Sequence, residues 1–177
     1  MDYKSLKTLE YHKIIEKLSS YAGSEAARKM CADLKPMTDI NSINDALTQT
    51  SDALSRIYAK GSVSFSGVTN IIDSIKRLEV GSTLNTHELL NISAVLTTAA
   101  AAKSHYEETN DSLTDYFNSL EPLTPLNTQI KNCIISEEEI SDDASGTLRD
   151  IRRQMRISAD RILKGFVRYV MTDELNK

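Results

Sequence analysis

The sequence predicts an all-α protein, in which a multi-helix bundle is followed by one long helix that projects from it. Apolar residues recur every three or four positions along most of the 177 residues, which is the spacing of one face of an α-helix. The chain has only six glycines and three prolines, so few breaks separate its elements. Residues that favour helix N-termini precede several of the periodic segments.

The first third of the chain predicts three helices. The apolar face of the first helix is formed by Leu6, Leu9, Ile14, Ile15, Leu18 and Tyr21. Ser24 is expected to cap a short, alanine-rich second helix, and Pro36 marks its end. Thr38 or Asp39 begins the third helix. Its apolar residues follow a seven-residue repeat up to Gly61, which is expected to act as a C-terminal cap.

The middle of the chain predicts four further helices. The first is short and ends at Gly81. The second begins at Asn85 and Glu88, which match an N-cap residue followed three positions later by a glutamate that bonds back to it. Its alanine run costs little in a helix and lets another helix approach closely. A short apolar helix follows, and the last begins with Thr124 as cap and Pro125 at the first helical position.

An acidic and irregular segment, ISEEEISDDAS, separates these helices from the last one. We therefore expect a helical core domain over residues 1–136, and an acidic connector with the start of a basic helix over residues 137–177. Ser145 is expected to cap the basic helix. Between Ser145 and Val170 this helix carries seven basic and two acidic side chains, a local charge of +5 in a chain whose net charge is -4.

The basic side chains of this helix are the candidate nucleic-acid contacts. We assign this role to Arg149, Arg152, Arg153, Arg156, Arg161 and Lys164. The planar fork of arginine suits phosphate and carboxylate oxygens. Three interpretations remain open: a solvated face that pairs with the acidic segment or a partner helix, contact with a nucleic-acid backbone, or a membrane-surface helix. The last is least favoured, because Trp is absent and the apolar face is narrow.

One apolar seam along the same helix predicts a packing surface or a homodimer surface. It consists of Leu148, Ile151, Met155 and Ile162, at spacings of three, four and seven residues. Ser158 and Gly165 weaken the seam. A glycine inside a helix costs about 1 kcal/mol relative to alanine, so Gly165 marks a bend or a close helix contact.

No pattern in the sequence predicts catalysis by this chain, and we assign no catalytic, cofactor-binding or metal-binding residues. The phosphate-binding motifs G-x-x-x-x-G-K-[ST] and G-x-G-x-x-G are absent. HELLN at residues 87–91 has Asn91 where a zinc-binding H-E-x-x-H helix needs a second histidine, so Glu88 is better explained as a capping residue. The carboxylates of the acidic segment lack the spacing of an EF-hand, which favours a solvated loop over a cation site.

The compartment is predicted from three absences in the sequence. The N-terminus lacks the apolar core of a signal peptide, and no segment is apolar enough to span a bilayer. Cys31 and Cys133 have neither a metal nor a redox spacing. We therefore expect a soluble, cytoplasmic protein with no membrane partner.

Several stretches of the sequence resemble the beginning of MutS-like proteins. They are YKSLKTLEYHKIIEKLSSYAGSEAARKM, LKPMTDINSINDALTQTSDAL, FSGVTNIIDSIKRLEVGSTLNTHELLNISAVL and ISDDASGTLRDIRRQMR. The last of them contains a D-x-A-S pattern followed by Leu and by I-R-R. The resemblance extends to about residue 161 and concerns the bacterial branch without mismatch-reading domains, the "MutS two" branch.

This resemblance implies a helical core, or lever, domain, from which a long helix leads toward a clamp that reaches around DNA. Proteins of this branch are ATP-driven homodimers with an ABC-type ATPase domain, which uses ATP and magnesium, and usually a C-terminal Smr nuclease domain. They are linked to branched DNA, to the suppression of recombination and, in some bacteria, to the splitting of collided ribosomes. This chain has neither a Walker A lysine nor an Smr region. The resemblance therefore implies a non-catalytic piece that binds DNA weakly, and mainly through the parent's clamp.

Overall fold

The computed structural model describes residues 3–106 and 109–174, and these residues form an all-α fold without a β-strand. The predicted fold class is thereby confirmed. The α-helices are α1 (Tyr3–Thr8), α2 (Tyr11–Tyr21), α3 (Glu25–Ala32), α4 (Ile40–Lys60), α5 (Ile72–Glu79), α6 (Thr86–His105), α7 (Thr114–Asn118), α8 (Thr124–Cys133) and α9 (Gly146–Glu174). A 3₁₀ turn covers Asp142–Ala144. None of the described helices combines the length and apolar character that crossing a membrane requires.

The N-terminal region differs from the single helix that the periodicity predicts. Leu9 and Glu10 separate α1 from α2, and Glu10 adopts a left-handed conformation with φ 54°. A right-handed helix cannot continue through such a residue. α2 packs on α3, and the Tyr11 hydroxyl donates to the Leu34 carbonyl at 3.4 Å. The predicted apolar spacing is therefore divided between two helices.

Most predicted helix ends are confirmed by hydrogen bonds. Ser24, Asp39 and Asn85 accept from backbone N–H groups in the first turns of α3, α4 and α6, at 3.2, 2.8 and 2.9 Å. Gly61 and Gly81 end α4 and α5 with φ of 84° and 80°, a conformation that glycine adopts without strain. Local interactions over three or four residues thus determine where these helices begin and end.

The start of α8 corrects one prediction. Thr124 is the first residue of the helix rather than its cap, and Leu123 takes the flanking position with φ 40°. Pro125 lies in the first turn, where its missing N–H leaves no helical hydrogen bond unmade. The helix therefore begins one residue earlier than its sequence predicts.

The buried apolar side chains lie at the contact of α6 with α8, and α7 also packs on α6. The buried apolar side chains are Leu96, Ala102, Tyr106, Ile130 and Ile134. A polar network crosses the helix contact: the Ser93 hydroxyl donates to Asn127 Oδ1 at 2.6 Å, and Asn127 Nδ2 donates to the Thr97 hydroxyl at 3.0 Å. The buried amide of Asn127 is thereby paired through both its oxygen and its nitrogen.

Large apolar side chains remain on the surface of several helices. The accessible surface of the molecule is 13848 Å², whereas area scaling gives about 8,600 Å² for a compact monomer of this mass. Leu47 and Leu54, which belong to the seven-residue repeat of α4, are 63% and 50% exposed. The helices therefore present apolar faces that the described core does not cover.

Candidate nucleic-acid interface

The acidic connector forms an ordered elbow between α8 and α9. Ile134 and Ile140 pair in an isolated antiparallel bridge, and the Ser141 N–H donates to the Cys133 carbonyl at 2.8 Å. The 3₁₀ turn Asp142–Ala144 follows and packs against both α8 and α9. We call residues 134–145 the elbow.

α9 begins where the sequence predicts. The Ser145 hydroxyl accepts from the Leu148 N–H at 3.1 Å, which satisfies one of the N–H groups that the first turn of a helix leaves unpaired. From this cap the helix continues for 29 residues, to Glu174. The division of the chain into a core domain and a connector with the basic helix, at residue 137, stays a prediction.

Asp142 joins the elbow to two arginines of α9. Arg152 Nη1 donates to Asp142 Oδ1 at 2.6 Å, and Arg156 Nη2 donates to Asp142 Oδ2 at 2.8 Å. Arg152 Nη1 also donates to the Ile140 carbonyl at 2.7 Å. The hydrogen bond from Arg152, followed by that from Arg156, holds the pKa of Asp142 below its ordinary value, so this carboxylate stays charged in mildly acidic solution.

The six basic residues predicted from the sequence fall into two groups. Those that pair with the elbow are Arg149, through Asp143, and Arg152 and Arg156, through Asp142. Those that are exposed, with no ion-pair partner in the described part of the chain, are Arg153, Arg161 and Lys164. Pairing of the basic helix with the acidic segment is therefore observed for three of these six residues. Contact of any of the six with nucleic acid stays a prediction.

The second group shares one side of α9. At 3.6 residues per turn, Arg153, Arg161 and Lys164 lie within about 80° of one another around the helix axis. The elbow-paired arginines lie on the adjoining sector, and the apolar seam lies on the far side. We call Arg153, Arg161 and Lys164 the open basic face, since the elbow leaves their charge uncompensated.

The apolar seam is largely uncovered. Leu148 is half-buried beside the elbow, whereas Ile151, Met155 and Ile162 are 50%, 65% and 74% exposed. Beyond the elbow, no described element packs extensively against α9. The structure thus places most of the predicted packing surface in solvent.

The side chains of His87 and Asn91 bind each other, and His87 also binds the acidic connector. Asn91 Nδ2 lies 3.0 Å from His87 Nε2, and His87 Nδ1 lies 2.8 Å from Glu137 Oε1. The amide nitrogen can only donate, so His87 Nε2 accepts and the ring proton lies on Nδ1, which donates to Glu137 Oε1. Glu88 completes the predicted capping box with Asn85. HELLN therefore starts α6 and ties it to the acidic connector.

Sequence reasoning missed the most buried charge among the described residues. Arg56 of α4 is 3% exposed, and its Nε and Nη2 donate to Asp111 Oδ2 and Oδ1 at 2.7 and 2.5 Å. Its guanidinium carbon lies 5.2 Å from the ring centre of Tyr106 and 4.6 Å from that of Phe117. The hydrogen bond from Arg56 lowers the pKa of Asp111. The two partners are 55 residues apart, so no local pattern could have indicated this pair.

Comparison with known proteins agrees with the resemblance to MutS-like proteins seen in the sequence. No family model matches the chain. The chain is 54% identical over 162 residues to endonuclease MutS2 of Lachnospira eligens, and 49% identical over 172 residues to endonuclease MutS2 of Lachnoclostridium phytofermentans. Each match covers 92% of this chain, but only 21% and 22% of the respective relative. The chain is thus homologous to MutS2 proteins over most of its own length, and it spans about a fifth of theirs.

Proposed function

We propose that this chain is the core and lever region of a MutS-like, DNA-processing ATPase and endonuclease. The identity of up to 54% to relatives named endonuclease MutS2 carries the proposal. In this proposal the parent protein uses ATP and magnesium, acts as a homodimer on branched DNA and suppresses recombination. The splitting of collided ribosomes is a second role of the parent protein in this proposal. The chain itself contributes no catalytic residue and transmits movement between the ATPase and the DNA clamp.

The shape of α9 supports a lever role. A helix of 29 residues is about 44 Å long at 1.5 Å per residue. Its N-terminal end is held by Asp142 and Asp143 through three arginines, and its side chains from residue 153 to residue 169 are exposed. A helix that is fixed at one end moves together with the element that holds it. A displacement of the elbow therefore reaches the far end of α9.

Binding of DNA to residues 1–177 is expected to be weak and to depend strongly on salt. Replacing both Arg153 and Arg161 by glutamate should remove most of this binding at low salt, because these residues belong to the open basic face. If each contacts one phosphate, the slope of log K against log salt should fall by about 1.8. Fluorescence anisotropy with branched and linear duplex DNA, over a range of sodium chloride concentrations, measures both quantities.

The control for this experiment changes the same charge elsewhere. Lys76 and Lys131 are exposed residues of α5 and α8, and a Lys76→Glu, Lys131→Glu chain has the same net charge as the test variant. A third chain, Asp142→Asn, frees Arg152 and Arg156 from the elbow and should bind DNA more tightly than wild type. Equal losses of DNA binding in the test and control chains would show that the open basic face is not the DNA-binding surface.

A helical interaction scaffold, with no direct nucleic-acid contact, is the second candidate function. The exposure of Ile151, Met155 and Ile162 along one seam favours it, because an apolar stripe of this kind is typical of helix pairing. We then expect the chain to form dimers whose population rises with concentration, and Ile151→Asp to shift them to monomers. Sedimentation velocity tests this, with Ile72→Asp on α5 as the matched control. Monomers at every concentration for the wild-type chain would count against the scaffold.

A further inference from the structure

The guanidinium of Arg56 is only partly satisfied by its neighbours. Nε and Nη2 are bound to Asp111, and Nη2 also lies 3.4 Å from the Thr114 hydroxyl. Nη1 is buried and has no hydrogen-bond partner in the described structure. A buried N–H group that lacks an acceptor costs about 1–3 kcal/mol, and more when the group is charged. A hydrogen-bond acceptor from outside the described residues would therefore be stabilised at Arg56 Nη1.

Arg56 lines a cavity of about 340 Å³ where α4, α6 and α7 approach each other. The other described lining residues are Lys103, Tyr106, Thr109, Asn110, Thr114, Phe117 and Asn118. None of the described lining residues is acidic. Asp111 binds Arg56 but does not itself line the cavity. This volume is about ten times the share of one water molecule in the liquid, and it matches the smallest ligand pockets of proteins.

Lys103 gives the cavity a second cationic wall. Its ammonium donates to the Leu120 carbonyl at 2.9 Å and to the Asn118 carbonyl at 3.3 Å. No carboxylate in the described part of the chain pairs with it. The ammonium has three N–H groups, so one donor remains after these two bonds. Since Asp111 already compensates Arg56, the charge of Lys103 is the one at this site that no described residue compensates.

We propose that this cavity binds a small oxyanion, a phosphate or a carboxylate, through Arg56 Nη1 and the Lys103 ammonium. Such an anion accepts from both cations, and hydrogen bonds between ionised groups are the strongest that a protein makes. The rings of Tyr106 and Phe117 hold the guanidinium plane in place before the anion arrives, so little side-chain freedom is lost on binding. This site lies on α4, α6 and α7, and it is independent of the open basic face of α9.

Calorimetry and thermal unfolding of residues 1–177 test the site directly. The probes are sodium phosphate and sodium acetate at pH 7, each compared with sodium chloride of the same ionic strength. We expect at least one of the two anions to bind with one-to-one stoichiometry and to raise the Tm by about 3 °C at saturation. Binding of phosphate alone assigns the site to phosphate groups, and binding of acetate as well extends it to carboxylates.

Two variants separate a specific site from general stabilisation by salts, which also raises Tm values. Lys103→Met should lower the affinity at least tenfold, whereas Lys131→Met, an exposed lysine of α8, should bind like the wild type. Arg56→Lys keeps the charge and removes Nη1, so it should also lose binding. Equal Tm shifts in Lys103→Met and Lys131→Met, or no heat of binding with either anion, would overturn the proposal.

Discussion

Replacing Asp111 by asparagine is expected to lower the free energy of unfolding by about 3–5 kcal/mol, because it leaves the buried guanidinium of Arg56 without a counter-charge. The side chains of the pair are only 2% and 15% exposed, so water cannot take over the role of the carboxylate. The amide of the new side chain would still offer one oxygen to the Leu113 N–H, which now donates to Asp111 Oδ1 at 2.9 Å. The loss therefore reports on the charge. Urea denaturation followed by circular dichroism measures it.

Two further variants test whether the unpaired charge of Arg56 causes this loss of stability. Lys13→Met removes the exposed pair of Lys13 with Glu10, and it should change the free energy of unfolding by less than about 0.5 kcal/mol. A chain with both Arg56→Met and Asp111→Asn should be more stable than Asp111→Asn alone, since no buried charge is left unpaired. If the double variant were the less stable of the two, the unpaired guanidinium would not be the cause of the loss.

The same pair predicts how stability depends on pH. Arg56 lowers the pKa of Asp111 in the folded chain, so the unfolded chain binds this proton at a higher pH than the folded chain does. The contribution of Asp111 is therefore complete above the ordinary carboxyl pKa, about 3.9. It is lost as the pH falls through the lowered folded value. The stability difference between wild type and Asp111→Asn should be constant from pH 7 to pH 5 and should shrink below that. A difference that stays the same at pH 3 would contradict this account.

Replacing Asn127 by alanine is the second change with a large expected effect, about 1–3 kcal/mol of unfolding free energy. Asn127 is 9% exposed, and it accepts from Ser93 and donates to Thr97 across the contact of α6 with α8. Its removal leaves the Ser93 hydroxyl, itself 4% exposed, without its acceptor and opens a small cavity. Because α8 leads into the elbow, amide hydrogen exchange in residues 134–145 should also become faster.

Asn132 provides the matched control for this change. It lies on the same helix, is exposed and should tolerate alanine within about 0.5 kcal/mol. The comparison keeps the helix propensity of the substitution constant, so any excess loss in Asn127→Ala belongs to the buried network. Equal losses in both chains would mean that the network adds no stability.

Much of the secondary structure could be predicted because its causes are local. Ser24, Asp39, Asn85 and Ser145 each bond to a backbone N–H three residues further along the chain, so a short window of sequence contains the whole interaction. Two predictions were wrong, the single N-terminal helix and the cap of α8. Both errors have local causes, since each follows from a residue with positive φ. Glu10 and Leu123 adopt left-handed conformations that their residue types do not indicate.

The candidate interface could be located from the sequence but not resolved into its parts. Helical spacing placed all six basic side chains on one helix, because the rotation per residue is fixed. It could not tell that Asp142 would pair with Arg152 and Arg156, ten and fourteen residues away. These pairs form where the 3₁₀ turn, which follows the Ile134–Ile140 bridge, packs against α9. The open basic face is therefore a result of the chain path.

The sequence by itself determined that this chain is all-α, that a long basic helix follows its acidic segment and that it resembles MutS-like proteins. Each of these properties follows from periodicity, local capping or residue identity along the chain. Only the tertiary structure decided that Arg56 is buried against Asp111, that half of the candidate basic residues are neutralised, and that the apolar seam of α9 is exposed. These outcomes depend on which distant segments meet. Desolvation and ion pairing are decided at such contacts, because both act through space, whatever the separation along the chain.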